Sequence, residues 1–164
     1  MFVYSFKASS VKFIGVFVLC LLAATAAIIA MPGAGSLLNV NKFDGSAELM
    51  KIDASGENGR IEFIETLGYT VNDANVSKQT SVIPKEFDIA LEKYNNLQRS
   101  QGFDLTKYTG KKLTGYTYEV SSFPDGSTNA DNYLATVIVY GNKVVGADLC
   151  CVEKGDVLPL VKMI

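Results

Sequence analysis

Amide and aromatic side chains are concentrated at positions 95–108, where their types suit recognition of a ligand more than proton transfer. The members of this set are Asn95, Gln98, Gln101, Phe103, Asp104 and Tyr108. Side-chain amides both donate and accept hydrogen bonds, and tyrosine joins an aromatic ring to a hydroxyl, so such a set can recognise neutral polar groups of sugars or peptide backbone. Tyr116 and Tyr118 follow on a predicted strand and extend the predicted ligand or partner surface as a stacking platform. The alternative is that Phe103 closes a helix end while the amides cap and solvate it.

The catalytic repertoire of the chain is narrow because it contains no histidine. Composition therefore excludes a Ser-His-Asp or Cys-His nucleophile, a histidine general base and histidine metal ligands, and we predict no cofactor and no metal site. Paired acids remain, since two carboxylates about 5 to 10 Å apart can hydrolyse glycosidic bonds. The acids expected on or beside strands are Glu119, Asp131 and Asp148. Their spacing does not enforce proximity, so a histidine-free hydrolase of cell-envelope glycan is the alternative function.

Cys150 and Cys151 are adjacent on a predicted strand. Adjacent strand residues point to opposite faces of a sheet, so a disulfide between them requires a distorted backbone. We predict one buried cysteine and one on the other face. A strained vicinal disulfide and an intermolecular bridge are the alternatives.

Residues 13–31 form an apolar run without a charge, preceded by Lys7 and Lys12. At about 1.5 Å per residue, a helix of this length spans close to the roughly 30 Å hydrocarbon core of a bilayer. The lysines before the run predict a cytoplasmic N-terminal arm over 1–12, a transmembrane helix or uncleaved signal anchor over 13–31, and an extracytoplasmic remainder. The alternative is a signal peptide cleaved near Ala24-Thr25-Ala26, which would leave apolar residues at the new N-terminus.

The part of the chain after Pro32 carries thirteen basic and seventeen acidic residues, a formal charge of −4. This mildly acidic balance argues against a nucleic-acid partner and against electrostatic binding to anionic lipids or polymers. The expected partners are the membrane, through Phe13 to Met31, and an unknown protein or envelope ligand.

Two helices and a linker are predicted between the apolar run and the sheet. Small residues and scattered charge over 32–56 indicate a juxtamembrane linker. Apolar residues at helical spacing predict a short helix over 57–67 and an amphipathic helix over 86–101. Gly68 and Gly102 stand where helix C-terminal glycines are expected.

The C-terminal part predicts an antiparallel sheet. Residues 112–123 alternate aromatic and polar side chains, 133–140 are almost continuously apolar, and 143–152 return after the two-residue turn Gly141-Asn142. Residues 69–82 indicate two short strands or one interrupted strand. We therefore predict that residues 57–164 form a small extracytoplasmic α+β domain, an antiparallel β-meander of at least three strands packed against one or two helices.

Several sequence blocks occur together in the order of a known family. They are Ile83-Pro84-x-x-Phe87, Tyr94-Asn95-x-Leu97-Gln98-x-x-Gln101-Gly102-Phe103-Asp104-Leu105, Tyr108-x-Gly110-Lys111, Tyr116-x-Tyr118 and Gly146-x-Asp148-x-Cys150. From about Arg60 to the C-terminus the chain resembles domain of unknown function 4830, an uncharacterised family of membrane-anchored proteins from Gram-positive, Clostridia-like bacteria. The resemblance implies an envelope setting and a preceding anchor, and it implies no activity.

These observations predict a single-pass envelope protein whose extracytoplasmic domain is a non-catalytic binding, sensing or interaction module. Besides the hydrolase, the alternative is a structural subunit that forms homo-oligomers through an exposed strand edge or through Cys150 or Cys151.

Overall fold

The structure is a computed structural model that describes residues 49, 51–128 and 132–161. The predicted arm, the predicted transmembrane helix and most of the predicted linker lie outside these residues and stay predictions. No helix among the described residues is both long and apolar enough to cross a bilayer.

Five strands form one antiparallel sheet in the order in which they occur in the sequence. They are β1 (Thr70–Val82), β2 (Lys112–Ser122), β3 (Tyr133–Tyr140), β4 (Lys143–Cys151) and β5 (Val157–Leu158). The predicted meander is confirmed, with β3 at its centre. The predicted interruption of β1 is a register shift between Asn72 and Ser77 within one 13-residue strand. The short β5 was not predicted.

Two α-helices, α1 (Glu57–Thr66) and α2 (Ile89–Ser100), complete the architecture with a 3-10 helix over Leu105–Tyr108. Helix α2 begins at Ile89, three residues after the predicted start, because the Asp88 side chain accepts a 2.8 Å hydrogen bond from the Leu91 amide and caps the helix. Gly102 follows the end of α2 with a φ of 89°, a backbone conformation that favours glycine.

Apolar side chains pack on both faces of the sheet. Strand residues alternate between faces, so Ala135, Val137 and Val139 of β3 join the larger core together with Phe63 and Ile64 of α1. On the opposite face, Ile138 packs in a smaller core with Leu105, Leu113 and Val145, and Tyr94 of α2 packs against it. The domain therefore has α1 on one face and α2 with the 3-10 helix on the other.

The larger core extends into the segment that the sequence assigns to the linker. Leu49 and Ala54 are both buried in that core. The Ala54 amide also donates a 2.9 Å hydrogen bond to the Asn142 carbonyl in the turn between β3 and β4. The packed unit therefore includes residues before Glu57.

Candidate functional site

A cavity of about 110 Å³ lies on the face of the sheet that carries α2. All five strands contribute to its floor, while Leu91 and Tyr94 of α2 and Leu105 of the 3-10 helix form its wall. We call it the sheet cavity. It exists because the smaller core covers only part of this face.

A row of polar side chains crosses the floor of the sheet cavity. Its members stand directly opposite one another on successive strands: Ser77 on β1, Thr117 on β2, Thr136 on β3 and Asp148 on β4. The Thr117 and Thr136 hydroxyl oxygens are 3.1 Å apart. The Thr136 hydroxyl is also close enough to the Asp148 carboxyl to lower its pKa. The row thus brings hydroxyls of neighbouring strands next to a carboxyl group.

Asp148 is the charged end of this row and is 6% exposed. The Tyr94 hydroxyl donates a 2.5 Å hydrogen bond to its Oδ2 atom. Burial raises the pKa of Asp148 to about 6, and the hydrogen bond from Tyr94 and the nearby Thr136 hydroxyl oppose that rise. Burial, followed by the charge of Asp148, raises the pKa of Tyr94 well above its usual value, so this phenol stays protonated and remains a donor. At neutral pH the cavity therefore contains a mostly ionised carboxylate.

Apolar rows flank the polar row on the same floor. Gly115 and Ile138 stand opposite each other on one side, and Leu134 and Cys150 on the other. Val157 of β5 extends the second apolar row. Over β2, β3 and β4 a ligand on this floor would meet apolar surface on both sides of the polar row, whereas Gln79 and Ser81 line the β1 side.

The predicted residues Asn95, Gln98 and Gln101 do not form a surface, because all three are buried. Asn95 accepts a 2.8 Å hydrogen bond from the Leu105 amide and donates one of 3.2 Å to Asp104, which holds the 3-10 helix against α2. The prediction that these amides recognise a ligand is therefore not supported for Asn95, because its amide bonds the protein's own chain instead.

Gln98 and Gln101 fasten α2 to the edge of β4 at Ala147. The Ala147 amide donates a 2.9 Å hydrogen bond to Gln98 Oε1, and its carbonyl accepts one of 2.9 Å from Gln101 Nε2. Gln101 Oε1 also accepts from the Val161 amide at 2.9 Å. Gly146 permits this approach, since a Cβ there would lie 3.1 Å from Gln98 Oε1. The amides thus satisfy a stretch of strand edge that β5 is too short to reach.

The two ends of the Gln98 amide differ in their hydrogen bonding: Oε1 accepts from Ala147, whereas Nε2 has no such partner among the described residues. The Nε2 atom is buried, and the Gln98 side chain is close enough to Tyr94 to lower the pKa of the Tyr94 hydroxyl. The contact between Gln98 and the Tyr94 hydroxyl is therefore electrostatic rather than a hydrogen bond.

Phe103, Asp104 and Tyr108 do come together, in a second pocket that also includes Lys107 and Lys143. Asp104 caps the 3-10 helix and its pKa is lowered to about 2, chiefly by the hydrogen bond from the Thr106 side chain. Arg99 pairs with Asp104 at 3.4 Å. The capping hydrogen bonds therefore account for the position of the Asp104 side chain and for its lowered pKa.

Tyr116 and Tyr118 lie on the opposite face of the sheet from the sheet cavity. Arg60 of α1 donates a 2.9 Å hydrogen bond from Nε to the Tyr118 hydroxyl, and its Cζ atom lies 3.7 Å from the centroid of the Tyr116 ring. Arg60 is itself only 7% exposed. These tyrosines are thus not part of one surface with the residues of α2, and they pack around an arginine that the sequence analysis did not single out.

The acids and cysteines of the sequence analysis are dispersed. Glu119 is exposed on β2 and stands opposite Leu134, whereas Asp148 is buried two strands away. Standard strand spacings put their Cα atoms about 12 Å apart. Asp131 lies outside the described residues.

Cys150 and Cys151 are both buried; Cys150 lines the sheet cavity, and the disulfide alternatives stay predictions.

The five-stranded meander with two helices defines a small α+β domain. The chain belongs to the family described as "Domain of unknown function (DUF4830)", whose model matches residues 63–149. That match begins in α1, ends in β4 and includes Tyr94, Thr136 and Asp148. Neither a curated protein nor a solved structure matches the chain.

Proposed function

We propose that this protein is a non-catalytic binding module that accepts a small ligand with an apolar body in the sheet cavity. The observation that carries the proposal is the mostly apolar floor of that cavity, which a polar row ending at Asp148 crosses. Mostly apolar walls with a few placed polar groups are typical of small-molecule sites. An engineered cavity of about 150 Å³ admits benzene, so about 110 Å³ suits a body of roughly five heavy atoms.

The composition of the cavity supports binding more than catalysis. Among the described residues its lining holds one carboxyl group, the Gln79 amide and several hydroxyls, and the chain has no histidine to act as a base. Hydrolysis of glycosidic bonds normally uses two carboxyl groups, and the register does not place Glu119 opposite Asp148. Ligand binding is therefore the activity for which the described residues provide a site.

We further propose that the domain stands outside the cell membrane, held by residues 13–31. The support is the uncharged run after Lys7 and Lys12 and the acidic balance after Pro32. Full-length protein expressed in a Gram-positive host should stay with the membrane fraction, and external protease on intact cells should digest the C-terminal domain. Release into the medium would mean a cleaved signal peptide, and protection from protease would reverse the orientation.

Binding in the cavity can be tested on the full-length protein with 1-pentanol as a small apolar probe. We expect saturable changes in the amide resonances of Gly115 and Thr136 when the probe is added. Gly115→Val should abolish them, because Gly115 lines the cavity on the same face of β2 as Leu113 and Thr117, and a new side chain there would point into the cavity. Gly56→Val is the matched control, since a Cβ there meets nothing within 4 Å. Unchanged resonances in the wild type would refute the binding function.

A further inference from the structure

We propose that the ligand of the sheet cavity carries a protonated amine, which pairs with the Asp148 carboxylate while its apolar body lies on the flanking rows. This inference rests on the proposed binding function and adds the chemical class of the ligand. Its basis is a charge inside the cavity that the described residues leave without an opposite charge.

No lysine or arginine lines the sheet cavity within the described part of the chain. Among the described residues, the Tyr94 hydroxyl donates a hydrogen bond to Asp148 and the Thr136 hydroxyl lies near it, and both groups are neutral. Buried carboxylates are normally paired with a cation because the loss of hydration is otherwise uncompensated. A cationic ligand would supply the missing charge, whereas a carboxylate or phosphate ligand would face repulsion from Asp148.

The polar row also matches an ammonium group in its hydrogen bonding. An ammonium group has three donors and no acceptor. Thr117 and Thr136 share one hydrogen bond, and a hydroxyl oxygen can accept two, so acceptor capacity remains beside the carboxylate whichever of the two donates. Ser77 continues the row on β1. An amine on this floor can therefore donate to Asp148 and to a neighbouring hydroxyl.

Among the described residues, few ionisable groups surround Asp148. From α2 it faces Tyr94, β3 and β2 contribute the hydroxyls of Thr136 and Thr117, the 3-10 helix contributes Leu105, and its own strand contributes Cys150. With a pKa of about 6, the carboxyl is mostly protonated at pH 5 and mostly ionised at pH 7. Amine binding should accordingly strengthen about tenfold between pH 5 and pH 7.

The test compares three probes that share one alkyl chain: pentylamine, 1-pentanol and pentanoate, each titrated into full-length protein at pH 7. We expect pentylamine to bind about 10- to 100-fold more tightly than 1-pentanol, the range for a hydrogen bond to a charged group, and pentanoate to bind most weakly. Equal binding of amine and alcohol would overturn the ligand class and leave the binding function intact. No binding of any probe would overturn both.

Asp148→Asn should remove the preference for pentylamine over 1-pentanol while 1-pentanol still binds. Asp73→Asn, which neutralises an exposed acid outside the cavity lining, is the matched control and should leave the preference unchanged. Should Asp148→Asn fail to fold, the wild type at pH 5 replaces it. A pentylamine preference that survives the loss of charge at position 148 would overturn the proposal.

Discussion

Tyr94 donates a 2.5 Å hydrogen bond to Asp148 and thereby ties α2 to β4 across 54 positions of the sequence. The same contact places an aromatic wall over the sheet cavity and holds the Asp148 carboxylate at its floor. Stability and ligand binding thus depend on one pair of side chains. Variants of this pair need measurements that separate the two effects.

Tyr94→Phe should lower the free energy of unfolding by about 1 to 3 kcal/mol at pH 7, because a buried charged acceptor loses a donor. The loss should be smaller at pH 5, where the carboxyl of Asp148 is mostly protonated. Equilibrium urea unfolding at the two pH values measures both quantities. Tyr108→Phe is the control, since this ring packs edge to face on Tyr140 in the same smaller core. Equal losses for the two variants, or a loss independent of pH, would contradict the assignment.

Asp148 should also make the stability of the wild type fall as pH rises from about 4 to 6. Its pKa is about 6 in the folded chain against 3.8 ordinarily, so the folded chain binds more protons than the unfolded chain in this window. The unfolding free energy then decreases with pH by about 3 kcal/mol from this group and levels off above pH 6.

The measurement is the difference in unfolding free energy between wild type and Asp148→Asn from pH 4 to pH 7. The difference should shift in favour of the variant as pH rises, because asparagine does not ionise. Asp73→Asn is the control and should leave the dependence of the unfolding free energy on pH as it is in the wild type. A wild-type minus Asp148→Asn difference that stays constant would show that Asp148 titrates normally in the folded chain.

Gln101→Ala should destabilise the domain by about 2 to 3 kcal/mol, because it leaves the Ala147 carbonyl and the Val161 amide without their partner. Hydrogen exchange should show the Val161 amide exchanging faster, with the change greatest at the end of the described chain. Asn96→Ala is the matched control on the exposed face of the same helix and should cost less than about 0.5 kcal/mol. Similar costs for the two variants would refute the role of Gln101 as a strand-edge partner.

The sequence predicts the elements of this fold better than it predicts the site. Apolar periodicity locates α2, whose Tyr94 packs on the sheet, and the central β3, which is buried from position 135 to position 139. The register in which the strands pair has no such local signal. Thr117, Thr136 and Asp148 are far apart in the sequence and meet only because their three strands align side by side. No local pattern encodes that alignment, so the polar row could not be found from the sequence.

The amides of α2 show a second limit of sequence interpretation. Asn95, Gln98 and Gln101 have the composition of a binding surface, yet each is used to satisfy backbone groups. Their position on the apolar side of the helix is the available signal: Gln98 and Gln101 follow Tyr94 at helical spacing. A polar side chain on the buried side of an amphipathic helix more often indicates an internal hydrogen bond than an external ligand.

Arg60→Lys should destabilise the domain by about 2 to 3 kcal/mol although it keeps the charge. The Arg60 guanidinium donates to the Tyr118 hydroxyl and to the carbonyls of Ala54 and Ser55, and it stacks on Tyr116. A lysine ammonium has no planar fork with which to reach all of these groups, so buried acceptors would lose their donors. Urea unfolding measures the cost, and Lys78→Met is the control, since its exposed ammonium lies 5.6 Å from the Tyr116 ring centroid. A cost for Arg60→Lys no larger than that of Lys78→Met would mean that charge near Tyr116, rather than the guanidinium hydrogen bonds, stabilises this face of the sheet.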